Sequence, residues 1–151
     1  MIRSATDADV SEIGALIREL AGYEQRADEV RWTEAELSDA LFGRDAVPRV
    51  LIAETPGGDI AGFALWFPTF STFRGAPGIW LEDLYVRPEH RRHGHGRALL
   101  DALRNHTDQR VEWSVLDWNE LAQTFYRGLG AFPLHEWTTW RWLPAAETPE
   151  T

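Results

Sequence analysis

Apolar residues Val10, Ile13, Ile17 and Leu20 recur at intervals of three and four, the spacing that lines one face of a helix. Thr6-Asp-Ala-Asp9 offers a capping-box-like start to that helix and Gly22 marks its end. A second capping signal, Thr33-Glu-Ala-Glu36, precedes Leu37, Leu41 and Phe42, with Gly43 as a stop, and predicts a second helix. The pattern then changes to strand-like runs. Residues 49–54 and 60–67 flank Pro56-Gly-Gly-Asp59 and read as a hairpin, Arg3 sits in a short first strand, and 79–86 form a further strand after an irregular loop, 70–78. Ala98, Leu99, Leu100 and Leu103 support a helix, 111–116 a strand, 119–127 a helix, and 134–143 a last strand. Strand and helix alternating in this order predict an α/β fold whose central parallel or mixed sheet is flanked by helices joined through right-handed crossovers. There is no internal repeat. Residues 1–143 are expected to form one domain, and 144–151, polar and Pro-containing, a disordered tail.

Composition narrows the classes. With 151 residues, 44% of them hydrophobic, the chain is long enough for one well-buried core and too short for two ordinary domains. No stretch approaches the roughly 20 apolar residues that span a bilayer, and the N-terminus lacks a basic flank followed by an apolar run, so a cytoplasmic protein with no membrane partner is expected. The absence of cysteine excludes a disulfide framework, a thiolate nucleophile and a thiolate zinc site. A formal net charge of -9 disfavours nucleic acid, whose phosphates require Lys and Arg, and suits a cationic substrate; it equally suits simple solubility.

The densest chemistry lies where the strand ending Leu84-Tyr85-Val86 runs into Arg91-Arg-His-Gly-His-Gly96 and then a helix. A helix start leaves backbone N–H groups without intrahelical partners, and Gly94 and Gly96 carry no Cβ to block a phosphate. Arg91, Arg92 and Arg97 add positive charge. The spacing matches neither the Walker loop nor the dinucleotide fingerprint. His90, His93 and His95 are near neighbours in a loop already suited to anions, and no metal is expected there. Glu82 and Asp83 are adjacent in a strand, so alternation predicts that they point to opposite faces.

The Arg-x-x-Gly-x-Gly turn resembles the pyrophosphate loop of GNAT-type N-acetyltransferases. The likeness runs from Ile2-Arg-Ser-Ala-Thr6 to Trp140-Arg141 and is greatest for the diamine (spermidine/spermine) N-acetyltransferase branch. Glu19-Leu-Ala-Gly-Tyr-Glu24, Leu81-Glu-Asp83, Trp118-Asn119, Phe125-Tyr126 and Gly130-Ala131 carry that closer match. Arg92 stands where the branch usually has glycine, Leu121 where proline is common, and Gly128-Leu129 where a basic pair is frequent.

The resemblance implies acetyl-CoA as acetyl donor, with no metal. Leu84, Tyr85 and Val86 would bind its pantetheine arm like an added strand, and Arg91, Arg92, His93, Gly94, His95, Gly96 and Arg97 its pyrophosphate. Asn119 would contact CoA, and Tyr126 would protonate the leaving thiolate; the competing role for Tyr126 is a core tyrosine hydrogen-bonded to backbone. A primary amine of pKa about 10.4 is mostly protonated near neutrality, at a cost of roughly 4 to 5 kcal/mol, so a proton acceptor is needed. Glu82 is implied as a substrate carboxylate and candidate base acting through water. Asp83 would bind a second ammonium or remain a solvated charge. Tyr23, Glu24, Trp113 and Ser114 match positions on the substrate side, and a homodimer is implied. The expected reaction is acetyl transfer to a small diamine or polyamine. Its alternatives are another primary amine (an amino-acid or thialysine side chain, or an aminoglycoside) and a non-catalytic acyl-CoA-binding protein.

Overall fold

In the computed structural model, which describes residues 1–147, the alternating apolar pattern closes into one five-stranded sheet in the order β1-β2-β3-β4-β5. The strands are β1 (Ile2–Ser4), β2 (Arg49–Glu54), β3 (Ile60–Ser71), β4 (Ala76–Val86) and β5 (Val111–Glu112). β1 to β4 pair antiparallel in sequence and β5 adds parallel to β4, so the sheet is mixed. The β3–β4 hairpin is longer than its sequence suggests. Ser71 still faces Ala76, and the expected loop shrinks to a turn closed by the Gly75 amide donating to Ser71 O at 2.8 Å. Pro77 and Gly78, read as loop residues, lie in β4, each facing β3.

Helix α1 (Val10–Tyr23) and helix α2 (Glu34–Phe42) cover one face of the sheet. Their Val10, Ile13, Leu16, Leu20, Leu37 and Leu41 pack on Val50, Ile52, Phe63, Leu65 and Tyr85. Helix α3 (His95–Arg104) covers the other, with Leu99 and Leu103 on Leu51, Ala53, Ala64, Trp66, Ile79 and Leu81. Successive residues of β2 thus enter opposite cores, the period-two rule of a strand covered on both sides. The helix starts follow the sequence signals. Thr33 accepts from the Glu36 amide while Glu36 accepts from the Thr33 amide. At Thr6 the box opens a single 3-10 turn, Asp7–Asp9, before α1 begins.

Two arginines fasten the helical layer to the sheet. Arg3 donates to both oxygens of Asp9, at 2.8 and 2.9 Å, and to Glu54 at 2.6 Å. Arg87, just past β4, reaches Glu12 at 2.9 Å and Glu19 at 3.1 Å on α1, and also donates to Ile60 O.

The chain divides into two compact units, Met1–Ser114 and a second from Val115 onward. The second contains α4 (Glu120–Gly128), capped by the Asn119 side chain accepting from the Ala122 amide at 3.2 Å. Two expected strands are corrected here. The one expected over 111–116 is confined to Val111 and Glu112, the residues that have partners on β4. None forms over 134–143, where Trp140 and Trp142 are almost wholly exposed. Alternation assigns a face but supplies no neighbouring edge, and an unpaired strand has no ladder to hold it. Of the expected tail, Ala145–Glu147 form a 3-10 turn and 148–151 lie outside the described residues. Among the described residues no helix is long and apolar enough to cross a membrane.

The Arg3 hydrogen bonds are the first cause that holds Asp9 down to about 2, well below the usual carboxylate range. A depressed carboxyl stabilises the fold above its unfolded value and loses that contribution as pH falls from about 4 towards 2. Asp9→Asn is therefore expected to cost about 1–2 kcal/mol in urea unfolding at pH 7. The gap to the native protein should narrow steadily below pH 4, and a pH-independent gap would show that the ion pair does not supply it.

Candidate active site

The site is organised by a break in the β3–β4 ladder. Leu65 faces Asp83 while the next residue of β3, Trp66, faces Leu81, so Glu82 has no partner of its own. It is the extra residue of a β-bulge, which bends a strand and switches its side-chain parity. Before the bulge Ile79 and Leu81 join the α3-side core; after it Leu84 and Val86 do.

One consequence concerns backbone groups. The Ile79 amide donates to Arg110 O at 3.0 Å, towards β5, whereas the Arg87 amide donates to Ala61 O at 2.8 Å, towards β3. Alternation from Arg87 turns Val86 and Leu84 to the opposite edge. β5 pairs with β4 only at Ile79 and Trp80, so among the described residues no strand covers that edge from Glu82 to Val86. An extended chain carrying amides can add there.

The second consequence corrects the expectation that Glu82 and Asp83 diverge. Trp80 faces Phe67, and Asp83 faces Leu65, so both lie on the α1/α2 side of the sheet. The exposed Glu82 carboxylate accepts from the Trp80 indole N–H at 2.8 Å and shares that side. The bulge has thus brought two neighbouring carboxylates to one face. Glu24, the residue capping the end of α1, completes the group: the charges of Glu82 and Glu24 both act on Asp83. Burial first, then those two charges, push the Asp83 carboxyl up to about 7. Glu24 is raised mainly by burial, opposed by Arg26 and reinforced by Glu29 and Glu82. Three like charges this close favour a cationic ligand or a retained proton.

Beyond β4, the turn to α3 has the conformation its glycine predicts at one position. Gly94 caps α3 in the left-handed region, φ +84, which side chains with a Cβ adopt at a cost of about 1–2 kcal/mol. Arg92 is also left-handed, φ +66, which accounts for the glycine usual there in the resembled branch. The first intrahelical bond of α3 runs from the Ala98 amide to Gly94 O, so the preceding amides point out of the helix start. Together with the open β4 edge these groups fit an acyl donor that carries an amide-containing arm and a pyrophosphate.

The basic side chains of the turn are less available than their sequence suggests. Arg91 donates to Val86 O at 2.8 Å and lies 5.4 Å from the Tyr23 ring centroid and 5.6 Å from that of Tyr85. Arg97 pairs with Asp101 at 3.0 Å. His93 lies 3.3 Å from His90 O, and His95 packs edge-on against His90. Burial, and then the terminal ammonium, His90 and His93, lower the His95 pKa. Among the described residues no group of three or more His, Cys, Asp or Glu is placed to hold a metal.

The remaining predicted residues fall in both units. Tyr23 ends α1 beside Arg91, next to Glu24 in sequence. Trp113 packs against the α3-side core, and Ser114 is exposed at the end of the first unit. Asn119 is buried as the α4 cap, and half-buried Tyr126 lies within α4, its ring 5.5 Å from that of Phe125. Sequence reasoning missed Trp80 as the partner of Glu82, although its signal, an indole two residues away in one strand, was present. It missed the bulge because no residue type marks one.

Residues 15–131 match the family model described as the acetyltransferase (GNAT) family. A thialysine N-epsilon-acetyltransferase of Bos taurus is 38% identical over 93% of this chain and 88% of its own length. A spermidine/spermine N(1)-acetyltransferase-like protein of Homo sapiens is 32% identical over 92% of this chain, but that match spans 21% of the human protein. Among solved structures, an integron cassette protein of V. cholerae superposes with a TM-score of 0.77 over 98% of each chain at 22% identity, a likeness of fold. The relatives do not single out the diamine branch.

Proposed function

The chain belongs to the acetyltransferase (GNAT) family, which uses acetyl-CoA as acetyl donor, and from that premise we propose that it acetylates the side-chain amine of a small amino acid of the thialysine type. The observation that carries this reading is the similarity to the bovine thialysine enzyme, which spans most of both chains. Diamine specificity, favoured on sequence motifs, has weaker support: the polyamine relative matches over a fifth of its length.

The electrostatics suit the amino-acid reading. Glu24, Glu82 and Asp83 offer negative charge to an ammonium, and the Arg91 guanidinium lies 5.4 Å from the ring centroid of Tyr23, the residue before Glu24. A substrate with an amine at one end and a carboxylate at the other complements both signs, whereas a polyamine meets only one of them.

In this reading the edge groups of Leu84 and Val86 hold the pantetheine arm, and Tyr85, expected with them, turns its backbone to β3 instead. The α3 entry from Arg91 through Arg97 holds the pyrophosphate, chiefly through backbone amides, because Arg91 and Arg97 already have partners. Tyr23, Glu24 and Glu82 receive the amine, with Trp113 and Ser114 lining its approach. Asn119 orders the start of α4 for CoA contact, and Tyr126 on that helix gives its proton to the departing thiolate. Two copies of the chain pair, covering the exposed Trp137, Trp140 and Trp142. Sedimentation at micromolar concentration should give a dimer mass, and a monomer would remove that element.

A thiol-release assay with acetyl-CoA tests the substrate directly, using thialysine, lysine, ornithine, putrescine, spermidine, spermine and an aminoglycoside. The expected result is a kcat/KM for thialysine at least about tenfold above that for any polyamine, a difference of about 1.4 kcal/mol. A preference for spermidine or spermine would restore the diamine reading. CoA binding without thiol release across the panel would make the chain a binding protein.

A further inference from the structure

We propose that Asp83, rather than Glu82, is the carboxylate that takes the proton from the attacking amine, with Glu82 serving as a fixed negative charge that orients the ammonium. This rests on the amine-acetylation reading above. Three features of the bulge separate the neighbours. Glu82 is exposed and its carboxylate already accepts the Trp80 indole N–H at 2.8 Å, which occupies one oxygen and holds the group in place. Asp83 is half-buried, and among the described residues no hydrogen bond or ion pair reaches its carboxylate. Asp83 is also acted on by two like charges, Glu82 on its own strand and Glu24 on the cap of α1. Desolvated and next to like charges, it binds a proton more readily than either an exposed or a hydrogen-bonded carboxylate. Its carboxyl, raised to about 7, is half ionised near neutrality, which suits a general base.

The step balances without a further reactant. An N–H bond of the ammonium breaks and its proton goes to an Asp83 carboxylate oxygen. The freed nitrogen lone pair forms the bond to the acetyl carbon, the carbon–sulfur bond breaks, and the thiolate takes the phenolic proton of Tyr126. Asp83 and Tyr126 then exchange those protons with solvent.

Paired pH profiles of kcat/KM and kcat for the native protein, Asp83→Asn and Glu82→Gln, with thialysine and acetyl-CoA, test the assignment. The native profile should rise through an ionisation near pH 7. Asp83→Asn should lose that limb and fall at least about 10²-fold at pH 7, recovering partly as pH approaches the pKa of the amine. Glu82→Gln should keep the limb and raise KM more than it lowers kcat. A native-like limb with kcat within about threefold in Asp83→Asn would overturn the base role while leaving the reaction in place. A native protein that acetylates no amine would overturn both.

Stability gives a readout independent of turnover. The raised carboxyl means that the folded state holds a proton which the unfolded chain has lost, so native stability should fall as pH rises from about 4 to 7 and level off above. Asp83→Asn should lack that decline, gaining in Tm on the native protein between pH 5 and 8. Parallel Tm curves over that range would show that Asp83 is ionised throughout and overturn the proposal.

Discussion

The register of the β3–β4 hairpin is the constraint on which the site depends. Ten residue pairs hold the two strands together on both sides of the bulge, from Gly62 with Val86 to Ser71 with Ala76. With the ladder pinned at both ends, the surplus residue at Glu82 can be accommodated only by a local change of side-chain parity. Both cores use the shift. Ile79 and Leu81 before it and Leu84 and Val86 after it serve the same α3 face, while Tyr85 enters the α1/α2 core opposite Phe63. Removing one residue here would drive Tyr85 towards α3 and expose Leu84 and Val86 to the helices of the other face. The apolar packing of both layers therefore holds in place a feature whose direct effects are polar: an open backbone edge and a pair of carboxylates on one face.

Charge placement follows a similar division. Several carboxylates of the first unit have arginine partners at hydrogen-bonding distance: Asp9 and Glu54 with Arg3, Glu12 and Glu19 with Arg87, Glu29 with Arg26, Asp101 with Arg97, Glu112 with Arg110. Glu24, Glu82 and Asp83 form no such pair among the described residues, and burial together with neighbouring like charge disfavours ionisation of Glu24 and Asp83. Uncompensated like charge at the end of a helix and the bend of a strand does nothing for the core, and it is relieved when a cation arrives. The excess negative charge of the chain, -9 in total, adds a longer-range attraction of the same sign.

Much of the scaffold was legible in the sequence because its signals are local. The capping box at Thr33, the stripe of α1 and the hairpin around Pro56-Gly-Gly-Asp59 each depend on a few neighbouring residues, and each appears where the pattern puts it. The glycine-rich turn was also readable, since Gly94 meets a left-handed backbone at a helix start. What escaped was relational. Glu82 and Asp83 looked divergent because alternation holds only while the ladder is unbroken, and the bulge is a property of two strands. The apolar pattern of 134–143 looked like a strand because periodicity says nothing of a partner edge. The contacts of Arg91 with Val86, Tyr23 and Tyr85 likewise join residues whose proximity no spacing announces.

Amide hydrogen exchange with and without CoA reads most directly whether the open edge of β4 and the start of α3 form one donor site. The account predicts that CoA slows exchange at the Leu84 and Val86 amides and at those of His95 to Arg97, while Tyr85 and Arg87, turned to β3, change little. Protection confined to other segments, or none at Leu84 and Val86 under saturating CoA, would contradict it.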